Sequence, residues 1–221
     1  DVLGSRGLGD VYKRQVYGLA KNYEAHAQFM HESGHSEIAH APEDMVIFSK
    51  PSTSVIGPDD PIVIPSYSND MNFEPEVAVI MGRIAKNVPV EKAMDYVLGF
   101  TCVNDVTLRD LQGLDPMWTR AKGFDTSCPL GPWIQTELDW KDAKISFTLN
   151  GEDVPMASGT TANLIHGIPE QIAAISSFST LLPGDVIMTG TPNASGHLDP
   201  GDETIVHVEG IGDLRNVIVR A

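Results

Sequence analysis

Two carboxylates one residue apart lead into an apolar run at Phe73-Glu74-Pro75-Glu76-Val77-Ala78-Val79-Ile80-Met81-Gly82. Residues 77–80 are strand formers without alternation, the pattern of a strand buried on both faces. Glu74 and Glu76 share the period-2 parity of that strand, so both point to one side, where neighbouring unpaired carboxylates repel and resist ionisation. A divalent cation resolves that conflict, and so does a solvated strand end just outside the core; on these residues alone both readings stay open. A third carboxylate, Asp105, stands where an apolar stretch over residues 98–103 meets the polar run Asn104-Asp105-Val106-Thr107-Leu108-Arg109-Asp110-Leu111-Gln112. That position suits a ligand carboxylate or a residue capping the next turn. Lys122 lies in a loop-rich stretch with Asp125, near Trp118 and Phe124. Composition reads it as a surface charge, although a lysine held among those aromatics would be desolvated. His26, His31, His35 and His40 invite a metal site, but only His31 and His35 stand four apart, and they flank Gly34; the spacing does not support one.

The elements that must position these groups are mostly short strands. Residues 16–20 read as a strand that turns into a helix over residues 21–30, with Asn22 placed to cap it. Residues 31–44 hold Ser, Gly, Glu and Pro without sustained period, so residues 22–44 form a helix followed by an exposed segment expected to be mobile. Residues 45–48 and 62–64 are Pro-bounded strands, and residues 90–97 read as a helix with Ala93, Met94 and Val97 on its apolar face. Asn150-Gly151 between apolar runs signals a type I′ hairpin. Ile165, Ile168, Ile172 and Ile175 step by three and four along one helical face, with Gln171, Ser176 and Ser177 elsewhere. Strands at residues 186–188, 205–208 and 217–219 close the chain. The order predicts one mixed α+β domain over residues 16–221, mainly β with a few helices. Residues 1–15 show neither period and read as a non-native leader.

Thirty acidic against fifteen basic residues leave a net charge of −15, which opposes attraction to nucleic acid or an anionic membrane surface. No apolar run approaches the ~20 residues of a membrane-spanning helix, and the N-terminus lacks the order of a secretory signal, so the expected location is cytoplasmic. Cys102 and Cys128 have no Cys-x-x-Cys spacing and read as buried thiols. Dinucleotide-binding and Walker glycine loops, the Gly-x-Ser-x-Gly elbow and His-Glu-x-x-His do not occur, which removes the usual support for nucleotide-binding, serine-hydrolase and zinc-protease chemistry.

Taken in order, Glu74-Pro75-Glu76, Asn104-Asp105 with Arg109-Asp110-Leu111-Gln112, Lys122-Gly123-Phe124-Asp125 with Cys128-Pro129-Leu130-Gly131-Pro132, Pro183-Gly184-Asp185 and Thr189-Gly190-Thr191-Pro192 resemble the fumarylacetoacetate hydrolase family over residues 16–221. The resemblance implies a mixed β-sandwich roll, a homodimer, and Mg²⁺ or Mn²⁺ held by Glu74, Glu76 and Asp105. An all-oxygen ligand set suits those ions better than zinc. It further implies His26, in the Asn-Tyr-x-x-His block, as general base and Lys122 as a cation in the pocket. Arg109, Gln112 and Thr191 would bind the substrate, a small anionic 2-oxo acid. One departure stands out. Hydrolytic and decarboxylating members carry Glu three residues after the histidine, where this chain has Phe29; Glu24 or Glu32 would have to substitute. The implied activity is cleavage of the C–C bond of an acylpyruvate. Rival readings are an isomerase, tautomerase or decarboxylase of a 2-hydroxy-dienoate or oxaloacetate-type acid, and a non-catalytic binding domain on the same fold.

Overall fold

The computed structural model describes residues 15–37 and 39–221, so the proposed leader lies, up to residue 14, outside the described residues. Gln15, at its boundary, is tied to the fold: its backbone N–H and its Nε2–H donate to the two Asp185 carboxylate oxygens, both at 2.8 Å. In chain order the elements are β1 (Val16–Ala20), α1 (Glu24–Glu32), β2 (Val46–Lys50), β3 (Val55–Ile56), β4 (Pro61–Ile64), β5 (Met71–Phe73), β6 (Pro75–Met81), β7 (Val97–Asn104) and β8 (Thr107–Leu108). Then follow α2 (Arg109–Gln112), α3 (Thr119–Lys122), β9 (Cys128–Gln135), β10 (Lys144–Leu149), β11 (Glu152–Asp153), β12 (Gly159–Thr160), α4 (Ile168–Phe178), β13 (Val186–Met188), β14 (Gly196–His197), β15 (Glu203–Val208) and β16 (Gly212–Arg220). Seven strands form one sheet in the order β2-β1-β13-β6-β7-β9-β3; a second runs β11-β10-β15-β16-β4 with β12 beside β10; β14-β5-β8 make a small third. This is the expected mostly β architecture with few helices.

Strand β6 is central to the first sheet, between β13 and β7, and every residue of it is buried. Its two faces do different work. Val77, Val79 and Met81 share a core with Ile145 and Phe147 of β10, Val206 and Val208 of β15 and Ile218 of β16, so they join the two large sheets. Ala78 and Ile80 pack in a second cluster with Val16, Phe48, Val103, Cys128, Val186 and Met188. Each Val or Ile so buried contributes on the order of 1.5–3 kcal/mol. Glu76 and Glu74 continue the parity of Ala78 and Ile80, away from the inter-sheet core. Both cysteines are free and buried, and burial pushes each thiol up to about 12.

The Asn150-Gly151 hairpin forms, with φ of 55° and 79° at the two turn residues, the positive values a type I′ turn needs. Other helix expectations need correction. α1 begins at Glu24, not at residue 21, and Tyr23 precedes it with no side-chain cap. Asn22 is a brace instead: its Nδ2 donates to Thr189 O at 2.9 Å and His166 O at 3.1 Å, and its Oδ1 accepts from His166 N at 2.9 Å. Residues 90–96 wind as a 3₁₀ helix, Val90–Tyr96. The isoleucine stripe of α4 holds for Ile168, Ile172 and Ile175, but Ile165 precedes the helix and is 40% exposed. Gln171 and Ser176, placed elsewhere by period, are buried: Gln171 Nε2 donates to His166 O while its Oε1 has no partner among the described residues, and Ser176 Oγ accepts from Val88 N. No helix among the described residues is long and apolar enough to cross a membrane.

Candidate metal centre

The antiparallel register of β6 and β7 pairs Pro75 with Asn104, which sets Glu74 and Asp105 opposite each other just past the ladder. Asp105 N donates to Glu74 O at 2.9 Å, and the Asn104 side chain accepts from Glu74 N at 2.9 Å, so both carboxylate-bearing backbones are pinned. Glu76 lies one pleat along on the same face. The three carboxylates are each at most 3% exposed, and ligand oxygens from all three lie within 4.8 Å of one another, the compass of a single coordination shell. β13 delivers the loop that closes the side. Gly190 N donates to Glu76 Oε2 at 2.7 Å, and Thr191 Oγ1 donates to Pro75 O at 3.1 Å. Gly190 has φ +105°, and a Cβ there would lie 3.0 Å from Asn22 Cβ, so glycine is required for the amide to reach the carboxylate.

Three cations answer two of the acids, Glu74 and Asp105. Lys122 Nζ bridges Glu74 Oε2 at 2.6 Å and Asp105 Oδ2 at 2.5 Å. Arg109 donates to Glu74 Oε1 at 2.7 Å, Ser195 Oγ at 2.8 Å and Gln112 Oε1 at 2.6 Å. Lys50 Nζ lies 2.8 Å from Asp105 Oδ1 and donates to Ser127 O and Val106 O. Burial resists the charge on Glu74, but Lys122 and Arg109 outweigh it and hold this carboxyl below the ordinary carboxylate range. Burial would discharge Lys122, and the Asp105 and Glu74 carboxylates overcome it, raising the ammonium's pKa. Glu76 has no such partner: burial, then Asp105 and Glu74, push it well above its usual value.

This arrangement fits a hard divalent cation. The donors are all carboxylate oxygens; among the described residues Asp105 Oδ1 is buried without an aligned hydrogen-bond donor, and Glu76 accepts only the Gly190 amide. The capping role considered for Asp105 and the surface role considered for Lys122 do not hold, since both are buried in this network.

His26, Gln112 and Thr191 line the same small cavity, about 20 Å³, as Glu74, Glu76, Asp105 and Lys122; Leu19, Met30, Phe48 and Trp118 supply its apolar wall. Arg109 is not a lining residue; it grips Glu74 and turns Gln112 so that the amide NH₂ is left to donate. His26 Nδ1 lies 2.5 Å from Asn193 O. A carbonyl only accepts, so Nδ1 carries the proton. Burial lowers the imidazole pKa against the pull of Glu74, leaving a neutral ring with its lone pair on Nε2. The orienting group is therefore a backbone carbonyl. Glu24 binds His40 and the Ala41 amide, Glu32 accepts from Gln28, and Phe29 stacks on His26 with ring centroids 6.4 Å apart, so neither glutamate substitutes.

Lys50 escaped the sequence reading. Its signal was parity: it sits two residues after buried Phe48 in β2, with exposed Ser49 between. Ser195 and the Asn193 carbonyl had no comparable signal.

Curled β-sheets with three buried carboxylates gathered where β6 begins and β7 ends define the fold and site of the fumarylacetoacetate hydrolase type. The sequence profile of the fumarylacetoacetate (FAA) hydrolase C-terminal family matches residues 15–219, and the chain belongs to that family. It is 44% identical to 5-carboxymethyl-2-hydroxymuconate delta-isomerase from Mycobacterium smegmatis, with a TM-score of 0.85 over 95% of this chain and 80% of that one. Fumarylpyruvate hydrolase from Pseudomonas aeruginosa, solved in complex with Mn²⁺ and pyruvate, superposes with a TM-score of 0.83 at 29% identity, over 94% of this chain and 90% of that one. Among curated proteins, oxaloacetate tautomerase Fahd2a of Rattus norvegicus is 37% identical over 93% of this chain and 66% of its own length. Hydrolases, isomerases and tautomerases thus share this scaffold.

Proposed function

We propose that the protein is a Mg²⁺- or Mn²⁺-dependent hydrolase that cleaves the C–C bond of a small acylpyruvate. The observation that carries this reading is the convergence of Glu74, Glu76 and Asp105 with His26 and Lys122 on one cavity. When bound by the three carboxylates, the ion supplies Lewis acidity at the substrate's 2-oxo group. The Gln112 NH₂, and the Thr191 hydroxyl once its proton turns from the Pro75 carbonyl, orient the adjacent carboxylate. His26 Nε2 takes a proton from water as its oxygen attacks the distal carbonyl, while the Nδ1–H stays on Asn193 O. The carbonyl–C3 bond breaks, its electron pair passes into the pyruvate enolate, and His26 returns the proton to C3. Lys122 Nζ adds positive charge where the enolate oxygen develops, an effect worth about 3 kcal/mol for a well-placed donor. The cavity is too narrow for a 2-oxo acid as it stands, so entry displaces α1 or Trp118; Leu19, Met30, Phe48 and Trp118 then exclude bulk water.

A second reading stops at enolisation, as in an isomerase or tautomerase. It is favoured by the neutral carbonyl on His26 Nδ1, which stabilises an imidazolium less than a carboxylate does. The test is a panel of acetylpyruvate, fumarylpyruvate and oxaloacetate with Mg²⁺ and after chelation. Release of pyruvate supports hydrolysis, loss of enol absorbance without cleavage replaces it with isomerisation, and full activity after thorough chelation would remove the metal from the account.

A further inference from the structure

Lys21 lines the same cavity as His26, Glu74, Glu76 and Asp105, and no carboxylate among the described residues answers it. Lys50, Lys122 and Arg109 each contact Glu74 or Asp105 directly. Lys21 forms no ion pair among the described residues; its ammonium donates to the neutral Ser36 hydroxyl at 2.7 Å. Its position is fixed at some conformational cost. It follows the last residue of β1 with φ 55°, a left-handed conformation unusual for a long side chain, and the next residue is the Asn22 brace to Thr189 and His166. Burial alone lowers its pKa, with no acid pulling the other way.

Charge balance says what such a cation is suited to. With Glu74, Glu76 and Asp105 ionised, the three buried cations cancel the three carboxylates. A divalent ion with the single carboxylate of a 2-oxo acid then leaves one positive charge in excess, and Lys21 makes it two. A monocarboxylate leaves that surplus uncompensated in a poorly hydrated cavity, whereas a second substrate carboxylate halves it, and the enolate formed in the reaction cancels the remainder.

Resting on the 2-oxo acid reading above, we propose that Lys21 is a specificity-determining residue that exchanges its Ser36 hydroxyl for a distal carboxylate, so that the preferred substrates are 2-oxo dicarboxylates. The exchange also couples recognition to position, since Ser36 belongs to the segment that follows α1, the helix carrying His26.

Binding of inert analogues tests this without turnover. With Mg²⁺ in excess, calorimetry compares 2-oxoglutarate with 2-oxopentanoate, and 2-oxoadipate with 2-oxohexanoate, each pair differing by a carboxylate in place of a methyl group. In at least one pair the dicarboxylate is expected to bind about tenfold tighter, as for a charge-assisted contact. Lys21→Met should erase that preference while leaving monocarboxylate affinity within about twofold, and Lys21→Arg should retain it. Equal binding within both pairs by the unaltered protein, or an equal loss for both partners in Lys21→Met, overturns the role of Lys21 alone. Failure of all four acids to bind the Mg²⁺-loaded protein overturns the 2-oxo acid reading, and this inference with it.

Discussion

The protein holds two charge networks of similar geometry and opposite setting. On the exposed side of β15 and β16 in the second sheet Arg215 binds Glu203 at 2.5 Å and Asp59 at 2.7 Å, with side chains 36–69% exposed. In the acidic centre Lys122, Lys50 and Arg109 bind Glu74 and Asp105 over 2.5–2.8 Å with side chains at most 4% exposed. Distance does not separate them; hydration does. An exposed pair gains little because water screens it. A buried pair offsets a desolvation cost of several kcal/mol per ion, and apolar residues of the same volume would often serve stability as well. Three acids and three bases inside β6, β7, α2, α3 and β2 are thus poor value as a stability device, and the unpaired member, Glu76, marks the place where charge is kept for a ligand.

The largest effect should come from the carboxylate with least compensation. Glu76→Gln keeps the shape and the Gly190 contact but removes a ligand charge, so Mg²⁺ affinity should fall by more than the ~10–100-fold typical of outer-shell partners, and activity with it. Calorimetric titration of Mg²⁺ measures this directly; unchanged affinity would move the metal site elsewhere.

Lys122→Met separates ligand from partner. Without Mg²⁺ it leaves Glu74 and Asp105 without their shared ammonium, and stability should drop by about 3–5 kcal/mol in urea unfolding. Mg²⁺ replaces the lost positive charge, so saturating metal should recover much of that loss, and its affinity should hold or rise. A variant no less stable than the parent without metal would place the two networks in one class.

Lys50→Met should cost less, about 2–3 kcal/mol, because Lys122 still pairs with Asp105. Its other bonds are to the Ser127 and Val106 carbonyls and the Ser127 hydroxyl. Mg²⁺ cannot satisfy those acceptors, so the loss should persist with metal; full recovery would mean that Lys50 acts only as a counter-charge to Asp105.

The same contrast explains what could be read before any coordinates. That Glu74 and Glu76 share a face was legible because strand parity is rigid, but the run alone left a buried metal site and a solvated strand end both open. At Asp105 the end of β7 suited a ligand or a turn cap, and only the family resemblance joined it to the two glutamates. Lys122 entered only through the resemblance, since lysine is ordinarily exposed and no local pattern shows two carboxylates arriving beside it from the ends of β6 and β7. Lys50 obeyed parity with Phe48, but Pro51 drew the eye to a strand end. The carbonyl that orients His26 comes from Asn193, 167 residues away, and a backbone acceptor carries no residue-type signal. Among the helices, Ile165 kept the spacing of α4 yet lies before its first turn, because periodicity runs through a boundary that Gly167 and Pro169 set.

The smallest effect belongs to the exposed network. Arg215 sits opposite Ile205 across β15 and β16, and its guanidinium reaches Glu203 and Asp59 over solvent. Arg215→Ala leaves both acids free to rehydrate, so no buried charge is stranded. The thermal midpoint should therefore shift by no more than about 2 °C, and less at 0.5 M salt than at 0.05 M because the pair is screened. A drop comparable to that of Lys122→Met, insensitive to salt, would mean that the outer cluster is as structurally committed as the inner one. Burial without structural need would then no longer set the functional centre apart.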